Sequence, residues 1–177
     1  MLRAWLLDGQ DTFILVENKF TGPLPDSLSR LEKVYYLDVA FNSLSGSVPA
    51  GLYDLTNIIA LHLNNNSFTG TISDRIDNLV HLEGLNMSYN SFSRQIPASI
   101  GHMQKLEYLG LQANRLSGTM PPVLIRTLEM LFLQGNQLSG GMKDVIWNPG
   151  ASSLIHIDLS SNLFSGEVCV CCAMCGM

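Results

Sequence analysis

The sequence predicts an α/β solenoid: a right-handed superhelix with parallel β-strands on its concave face and loops or short 3-10 helices on its convex face. Asparagine recurs in phase, at four intervals of 24 residues followed by intervals of 22 and 26. Apolar residues keep fixed distances from it, as Leu37, Val39 and Leu44 do around Asn42. A fixed period of this length is typical of stacked coils that bury their apolar faces against each other. The seven asparagines are Asn18, Asn42, Asn66, Asn90, Asn114, Asn136 and Asn162.

The first element of each coil is a short strand. The segment before each asparagine alternates apolar residues with others, and a period of two is typical of a half-buried strand. Leu85 and Met87 are therefore expected to point into the core, while the residues between them point outward. Strands of successive coils would lie parallel, about 4.8 Å apart, along one face.

The asparagine is expected to turn the chain inward. Its side-chain amide carries two donors and an acceptor, which suffice for backbone groups that a turn would leave unpaired in the core. Stacked asparagines would therefore form a hydrogen-bonded ladder along the solenoid.

A bend and a short helical segment complete each coil. Glycine four residues after the asparagine permits a positive φ in a tight bend. It is present at Gly22, Gly46, Gly70, Gly118, Gly140 and Gly166, while Arg94 takes the place in the fourth coil. Proline seven residues after the asparagine stops the strand pattern, at Pro25, Pro49, Pro97 and Pro121. The helical segments that follow would be anchored inside by Leu28, Leu52, Ile76, Ile100, Leu124 and Ile146.

Two coils depart from the regular length. Two residues are lost between Leu124 and Leu128, and two are gained between Ile146 and Leu154. Both changes fall on the outer side of the coil, where loops tolerate them. The strands and asparagines are therefore expected to keep their register.

The chain divides into a repeat domain of about seven coils, residues 1–168, and a cysteine-rich tail, residues 169–177. The tail holds all four cysteines, which are Cys169, Cys171, Cys172 and Cys175. Three interpretations stay open: a disulfide-bonded cap, a zinc site, and a segment without fixed structure. The close spacing of the four residues disfavours zinc, so no metal ion or other cofactor is predicted.

Composition excludes two classes of partner or location. The ten basic residues are spread among fifteen acidic ones and form no basic patch, which makes nucleic acid an unsuitable partner. No run of about 18 apolar residues occurs, so this sequence encodes no membrane span.

The repeat resembles that of a known family. The pattern L-x-x-L-x-x-L-x-L-x-x-N-x-L-x-G-x-I-P, found over residues 7–168, is similar to the 24-residue leucine-rich repeat of plant receptor-like kinase ectodomains, receptor-like proteins and polygalacturonase-inhibiting proteins. The resemblance implies non-catalytic recognition of a protein, a peptide or a cell-wall glycan by a fragment of a receptor-like protein in signalling or defence. The alternatives are a soluble inhibitor of a cell-wall-degrading enzyme and a structural scaffold.

The resemblance also implies an extracellular or cell-surface location and a membrane-anchored parent protein. The N-terminal residues show neither the apolar region nor the cleavage site of a secretory signal. The cytoplasm is therefore the alternative. We expect an incomplete gene product, because the receptor-like relatives begin with a signal and a cysteine-paired cap.

Ligand binding is expected on the concave face, the usual binding surface of solenoids. Exposed aromatic residues beside polar amides suit protein or peptide recognition. The candidate residues are Tyr36, Asp38, His62, Asn64, Asn86, Ser88, Tyr108, Gln112, Phe132, Gln134, His156 and Asp158. An acidic strip of Glu83, Glu107 and Glu129 runs beside them on three consecutive coils. It is either a solvated rim or a receiver of a basic ligand.

Two further motifs have alternative interpretations. Asp38, His62 and Ser88 resemble the parts of a nucleophilic triad, but an open sheet offers no oxyanion donor, so polar surface is the favoured interpretation and no enzyme is predicted. Asn65 and Asn86 begin glycosylation sequons, which matter only in a secreted protein.

Overall fold

The computed structural model describes residues 11–121, 127–141 and 154–167. These residues form fourteen short strands and four 3-10 helices. The predicted anchors Leu124 and Ile146 and the four cysteines of the tail lie outside the described residues. In chain order the strands are β1 (Thr12–Ile14), β2 (Thr21–Gly22), β3 (Tyr36–Asp38), β4 (Ser43–Gly46), β5 (Ala60–His62), β6 (Ser67–Gly70), β7 (Gly84–Asn86), β8 (Ser91–Arg94), β9 (Tyr108–Gly110), β10 (Arg115–Thr119), β11 (Met130–Phe132), β12 (Gln137–Gly141), β13 (His156–Asp158) and β14 (Leu163–Ser165).

The predicted strands form one parallel sheet in the order β1-β3-β5-β7-β9-β11-β13. Each has an inward central residue between two outward ones; this residue is buried from β3 to β11, as at Leu61 and Leu85, and partly buried in the end strands β1 and β13. The pairing keeps its register through the irregular coils, since Met130 lies opposite both Tyr108 and His156. The prediction that length changes spare the strands is therefore confirmed.

A second parallel sheet, in the order β14-β12-β10-β8-β6-β4-β2, follows the asparagines. The sequence does not predict it. From β4 to β12 one inward residue of each strand is fully buried, and Phe68 and Phe92 stack there with ring centroids 6.2 Å apart. The glycines of the repeat lie at the ends of these strands or one residue from them, and they have positive φ, for example +79° at Gly46. The predicted bend is therefore the end of a strand.

Four 3-10 helices lie on the convex side, as predicted. They are η1 (Asp26–Arg30), η2 (Ala50–Asp54), η3 (Asp74–Asn78) and η4 (Ala98–His102). Leu28, Leu52, Ile76 and Ile100 anchor them in the core. Proline precedes three of the helices. Before η3, Ser73 replaces it and accepts a hydrogen bond from the backbone of Arg75, which caps the helix instead.

The asparagines join the two sheets. Asn66 donates from Nδ2 to the carbonyl oxygens of Leu63 in its own coil (3.2 Å) and Val39 in the preceding one (2.9 Å). Its Oδ1 accepts from the backbone N–H of Leu44 in β4, at 2.9 Å. The same pattern recurs from Asn42 to Asn162. One side chain per coil thus satisfies backbone groups of both sheets, which fixes the core between them.

Candidate ligand-binding face

The first sheet presents two outward side chains per strand. They stand six and four residues before each ladder asparagine, with an inward leucine, isoleucine or, in β1, Phe13 between them. A parallel sheet places equivalent residues side by side at about 4.8 Å. The outward residues therefore form continuous rows across the coils.

Tyr36, Asp38 and His62 form a hydrogen-bonded cluster at the N-terminal side. The Tyr36 hydroxyl lies 3.4 Å from Asp38 Oδ2 and 3.3 Å from His62 Nδ1, and the two rings meet edge-on at 5.4 Å. His62 Nδ1 and Asp38 Oδ2 are 3.5 Å apart. Burial, followed by the charge of Asp38 and its hydrogen bond, raises the pKa of Tyr36 above its usual value. The three side chains thus act as one polar unit.

Tyr108, Phe132 and His156 form an aromatic cluster at the C-terminal side. The rings of Tyr108 and Phe132 lie 5.7 Å apart, and those of Phe132 and His156 lie 5.0 Å apart. Tyr108 lies across Gly110, where a Cβ atom would be 2.9 Å from the tyrosine hydroxyl. Burial raises the pKa of Tyr108. Clustered aromatic rings of this kind are common anchors for a bound chain.

A trough separates the two clusters. Ala60 and Gly84 stand side by side in adjacent strands. A Cβ atom at Gly84 would meet nothing within 4 Å. The trough therefore has room for the backbone or a side chain of a ligand that contacts both clusters.

Three of the polar candidates stabilise the strand ends. Asp38 accepts from the backbone N–H of Ala40 at 2.9 Å, Asn86 from Ser88 at 3.2 Å, and Asp158 from Ser160 at 3.0 Å. The bond from Ser160 is also the main cause of the lowered pKa of Asp158. In the sequence this capping role is indicated by an Asp or Asn two residues before the backbone amide to which it is bonded, as in Asx turns. The sequence analysis did not predict it.

The row two residues before the asparagines is less exposed than the sequence predicts. Asn64 is 7% exposed and Ser88 only 2%, because the chain already turns inward toward the ladder there. The side-chain oxygens of Gln112 and Gln134 are buried without a hydrogen-bond partner. Asn64 and Ser88 therefore have little side-chain surface open to a ligand, and their role as ligand contacts stays a prediction.

Glu83, Glu107 and Glu129 immediately precede β7, β9 and β11. Their backbones are hydrogen-bonded in sequence, with N···O distances of 2.8 Å from Glu107 to Glu83 and from Glu129 to Glu107. The structure thus places them side by side. None of them forms a salt bridge within the described part of the chain, so their charges are open to a ligand.

The charge of this face has one sign. We define the concave segments as residues 11–17, 35–41, 59–65, 83–89, 107–113, 129–135 and 155–161. They contain no lysine or arginine, and they contain the carboxylates of Asp11, Glu17, Asp38, Glu83, Glu107, Glu129 and Asp158. The basic residues of the described chain all lie elsewhere, at Lys19, Arg30, Lys33, Arg75, Arg94, Lys105 and Arg115. Such a surface favours a positively charged ligand.

The structure does not assemble a nucleophilic triad. Asp38 and His62 are adjacent, but the Ser88 hydroxyl donates to Asn86 Oδ1 at 2.7 Å and is buried. Within the described residues, no group of three His, Cys, Asp or Glu side chains is placed to hold a metal ion.

The two sequons have different environments. Asn65 lies at the turn beside the ladder, half-exposed, with φ of +54°. The side-chain oxygen of Asn86 is already occupied by Ser88, the hydroxyl residue of its own sequon. Both side chains are half-exposed, and the nitrogen of Asn86 to which a glycan would be attached takes no part in that bond, so both sequons stay predicted glycosylation sites.

Two stacked parallel sheets with an asparagine ladder define the class of repeat proteins that recognise other molecules through an open face. The chain belongs to the leucine-rich repeat family, whose profile, described as "Leucine rich repeat", matches residues 56–116. Its repeats are of the plant type and are similar to those of plant receptor kinase ectodomains. A comparison with curated proteins gave no significant match.

Several solved structures are similar to this chain. The Arabidopsis receptor kinase HAESA, solved with the peptide hormone IDA and the co-receptor SERK1, aligns with a TM-score of 0.85 and 32% identity, over 89% of this chain and 26% of that one. The BIR3–SERK2 complex from Arabidopsis thaliana matches with a TM-score of 0.65 and 32% identity, over 71% and 68% of the two chains. A plant ice-binding protein matches with a TM-score of 0.80 and 25% identity, over 87% and 50%.

The chain spans about a quarter of the length of HAESA. In the described parts of the chain, every helix is too short to cross a lipid bilayer.

Proposed function

We propose that this chain is the recognition part of an extracellular, plant-type receptor-like protein, and that it binds a positively charged peptide along its concave face. The observation that carries the proposal is the charge of the concave segments, which hold carboxylates on six of the seven coils and no lysine or arginine. HAESA, solved with a peptide hormone, supports a peptide as the ligand class.

The geometry fits an extended peptide. The aromatic cluster would anchor an apolar side chain of the peptide, and the hydrogen-bonded cluster of Tyr36, Asp38 and His62 would contact polar groups. The trough at Ala60 and Gly84 would admit the chain between them. Basic side chains of the ligand would then reach Glu83 and Glu107 at the start of the central strands. Charge complementarity of this kind governs specificity and association rate more than affinity.

The experiment is selection from a synthetic peptide library, followed by calorimetry with a selected peptide. We expect enrichment of peptides with lysine or arginine beside an aromatic or aliphatic residue, and weaker binding as salt is raised. The double variant Glu83→Lys, Glu107→Lys should lower affinity about tenfold or more.

The matched control is the double variant Asp26→Lys, Glu32→Lys, which makes the same change of net charge on the convex side. It should bind as the parent does. Equal loss in both variants, or enrichment of acidic peptides, would contradict a specific role of the concave face.

Ice binding is a second candidate function. It is favoured by a row of hydroxyl side chains, one from every coil, on the outer surface of the second sheet: Thr21, Ser45, Thr69, Ser93, Ser117, Ser139 and Ser165. They recur once per coil, although the pairing of the strands offsets neighbours by two residues, as Ser45 pairs with Ser67 and not with Thr69. A regular hydroxyl array can hold ordered water. One structural relative is a plant ice-binding protein.

Inhibition of ice recrystallisation tests this candidate. Activity that is lost in Thr69→Tyr and kept in Ala60→Tyr, on the concave face, would support it. A chain without effect on ice growth would exclude it.

A further inference from the structure

A groove of about 790 Å³ lies away from the concave face, where the second sheet passes into the convex side of three consecutive coils. Ile72, Ile96 and Met120 form its buried floor, while Asp74, Arg94 and Thr119 stand exposed on its rim. An apolar floor with a few polar groups around it is the usual form of a small-ligand site. The proposed peptide-binding function makes no use of this groove.

Arg94 is the anomalous residue of the groove. It occupies the glycine position of the repeat, with φ of +68°, while six coils have glycine there. A non-glycine residue in the left-handed region costs about 1–2 kcal/mol. Strained residues of this kind cluster at functional sites, where the surrounding structure holds them.

The guanidinium of Arg94 has no hydrogen bond or ion pair among the described residues. Arg75, by contrast, donates to the Asp54 carboxylate and to the Ala50 carbonyl. Asp74 on the same rim is likewise outside any salt bridge of the described chain. The groove therefore offers one free cation and one free carboxylate.

Gln95 and Gly118 shape the groove between Arg94 and the next coil. A Cβ atom at Gly118 would lie 2.6 Å from Cγ of Gln95, so only glycine lets the glutamine side chain lie flat against that coil. Gln95 lines the groove together with Ser117 and Thr119 of that coil. The wall between the two coils thus carries several neutral donors and acceptors.

We propose that this groove binds a sugar acid: a small polyhydroxylated ligand with one carboxylate. The planar fork of Arg94 suits a carboxylate, to which arginine can donate two parallel hydrogen bonds. Asp74, Gln95 and Thr119 suit the ring hydroxyls, and the apolar floor suits the C–H face of the ring. Because Asp74 is acidic, a ligand with several negative charges fits less well than one with a single carboxylate.

The test is titration of the full 177-residue chain with glucuronate, followed by NMR, with glucose as the matched neutral probe. Glucuronate should bind with a dissociation constant on the order of 1 mM and shift the Arg94 Nε–H signal. Glucose should bind at least about tenfold more weakly, because it lacks the charge-assisted hydrogen bonds.

Arg94→Gly is the informative variant. It removes the guanidinium and restores the residue that the other coils use, so it should fold at least as well as the parent. Glucuronate binding should fall about ten- to a hundredfold. Arg115→Gln, which removes the same charge one coil further on and outside the groove, should leave binding unchanged.

Three results would overturn the proposal. They are the absence of glucuronate binding to the parent chain, equal binding of glucuronate and glucose, and retention of binding in Arg94→Gly. None of them bears on peptide binding at the concave face.

Discussion

The two sheets of the solenoid come from the same coils, yet their outward side chains follow different rules. On the second sheet, the row three residues after the ladder asparagines is serine or threonine in every coil. On the first sheet, the row four residues before them holds Ile14, Asp38, His62, Asn86, Gly110, Phe132 and Asp158. Both sheets are parallel and take one strand from each coil. Their registers differ by two residues, since Tyr36 pairs with its equivalent Ala60 in the first sheet, whereas Ser45 pairs with Ser67 in the second. The fold therefore leaves the concave row free to vary, and chemistry that distinguishes this chain is concentrated there.

The two sheets should differ most in how far the free energy of unfolding falls when one phenylalanine is removed from each. Phe92 is fully buried in the second sheet and stacks on Phe68. Phe92→Ala should lower the free energy of unfolding by about 3–5 kcal/mol, since it leaves a cavity between packed coils. Urea denaturation followed by circular dichroism measures the effect.

Phe132→Ala is the matched change on the concave face. Phe132 is half-buried and contacts Tyr108 and His156. Its loss should lower the free energy of unfolding by about 1 kcal/mol, the scale of an aromatic pair, while it weakens peptide binding. Equal destabilisation by both variants would show that the concave cluster belongs to the core.

Removal of one of the asparagines that link the sheets should give the next largest loss in the free energy of unfolding. Asn90→Ala removes the acceptor of the Phe68 N–H (2.9 Å) and the donor to Leu63 O (3.0 Å). Leaving these backbone groups unsatisfied should lower the free energy of unfolding by about 1–3 kcal/mol. Unchanged denaturation would count against the ladder as a stabilising feature.

Asn18→Ala provides the control at the ladder's end. Asn18 is exposed and donates only to Leu15 O and Val16 O among the described residues. Water can replace these bonds, so the loss should stay below about 1 kcal/mol. The difference between the two variants measures how much burial adds to the ladder.

The contrast between the sheets also explains what could be predicted from the sequence. The concave strands and the asparagines follow from a period repeated seven times, in which a single mismatch does not hide the pattern. The second sheet escaped prediction because segments such as Ser43–Gly46 alternate over only four residues and end in glycine, which is as typical of a turn. Their pairing depends on the stacking of coils, which no single segment reveals.

The sequence predicts which face of the solenoid carries the candidate site, but it predicts the role of each residue on that face less well. The rows around Tyr36 and Tyr108 follow from strand alternation. The burial of Ser88 and the capping role of Asp38 depend on where each strand ends and turns inward, which the period does not specify. The groove at Arg94 was signalled only by one missing glycine, and its shape depends on three coils that follow one another at intervals of 24 residues.

The smallest expected effect concerns the ionisation of the Tyr36–Asp38–His62 cluster, which has no counterpart on the second sheet. Burial and the Asp38 carboxylate raise the pKa of Tyr36 above its unfolded value of about 10. The stability that this shift contributes is present below pH 10 and is lost as pH rises through the folded pKa, because the folded state disfavours the phenolate.

Absorbance titration of tyrosinate, with Tyr36→Phe to identify the signal, measures this pKa. Asp38→Asn should lower it, since the repulsion between the carboxylate and the phenolate is removed, but not to the usual value, since burial is the larger cause. The Tyr108 signal should not move, because burial alone raises its pKa and Asp38 is three coils away. A shift of both tyrosine signals would mean that Asp38→Asn loosens the whole concave face. The Asp38 carboxylate would then affect the pKa of Tyr36 mainly through its hydrogen bond from the Ala40 N–H, which holds the strand end, and not through its charge.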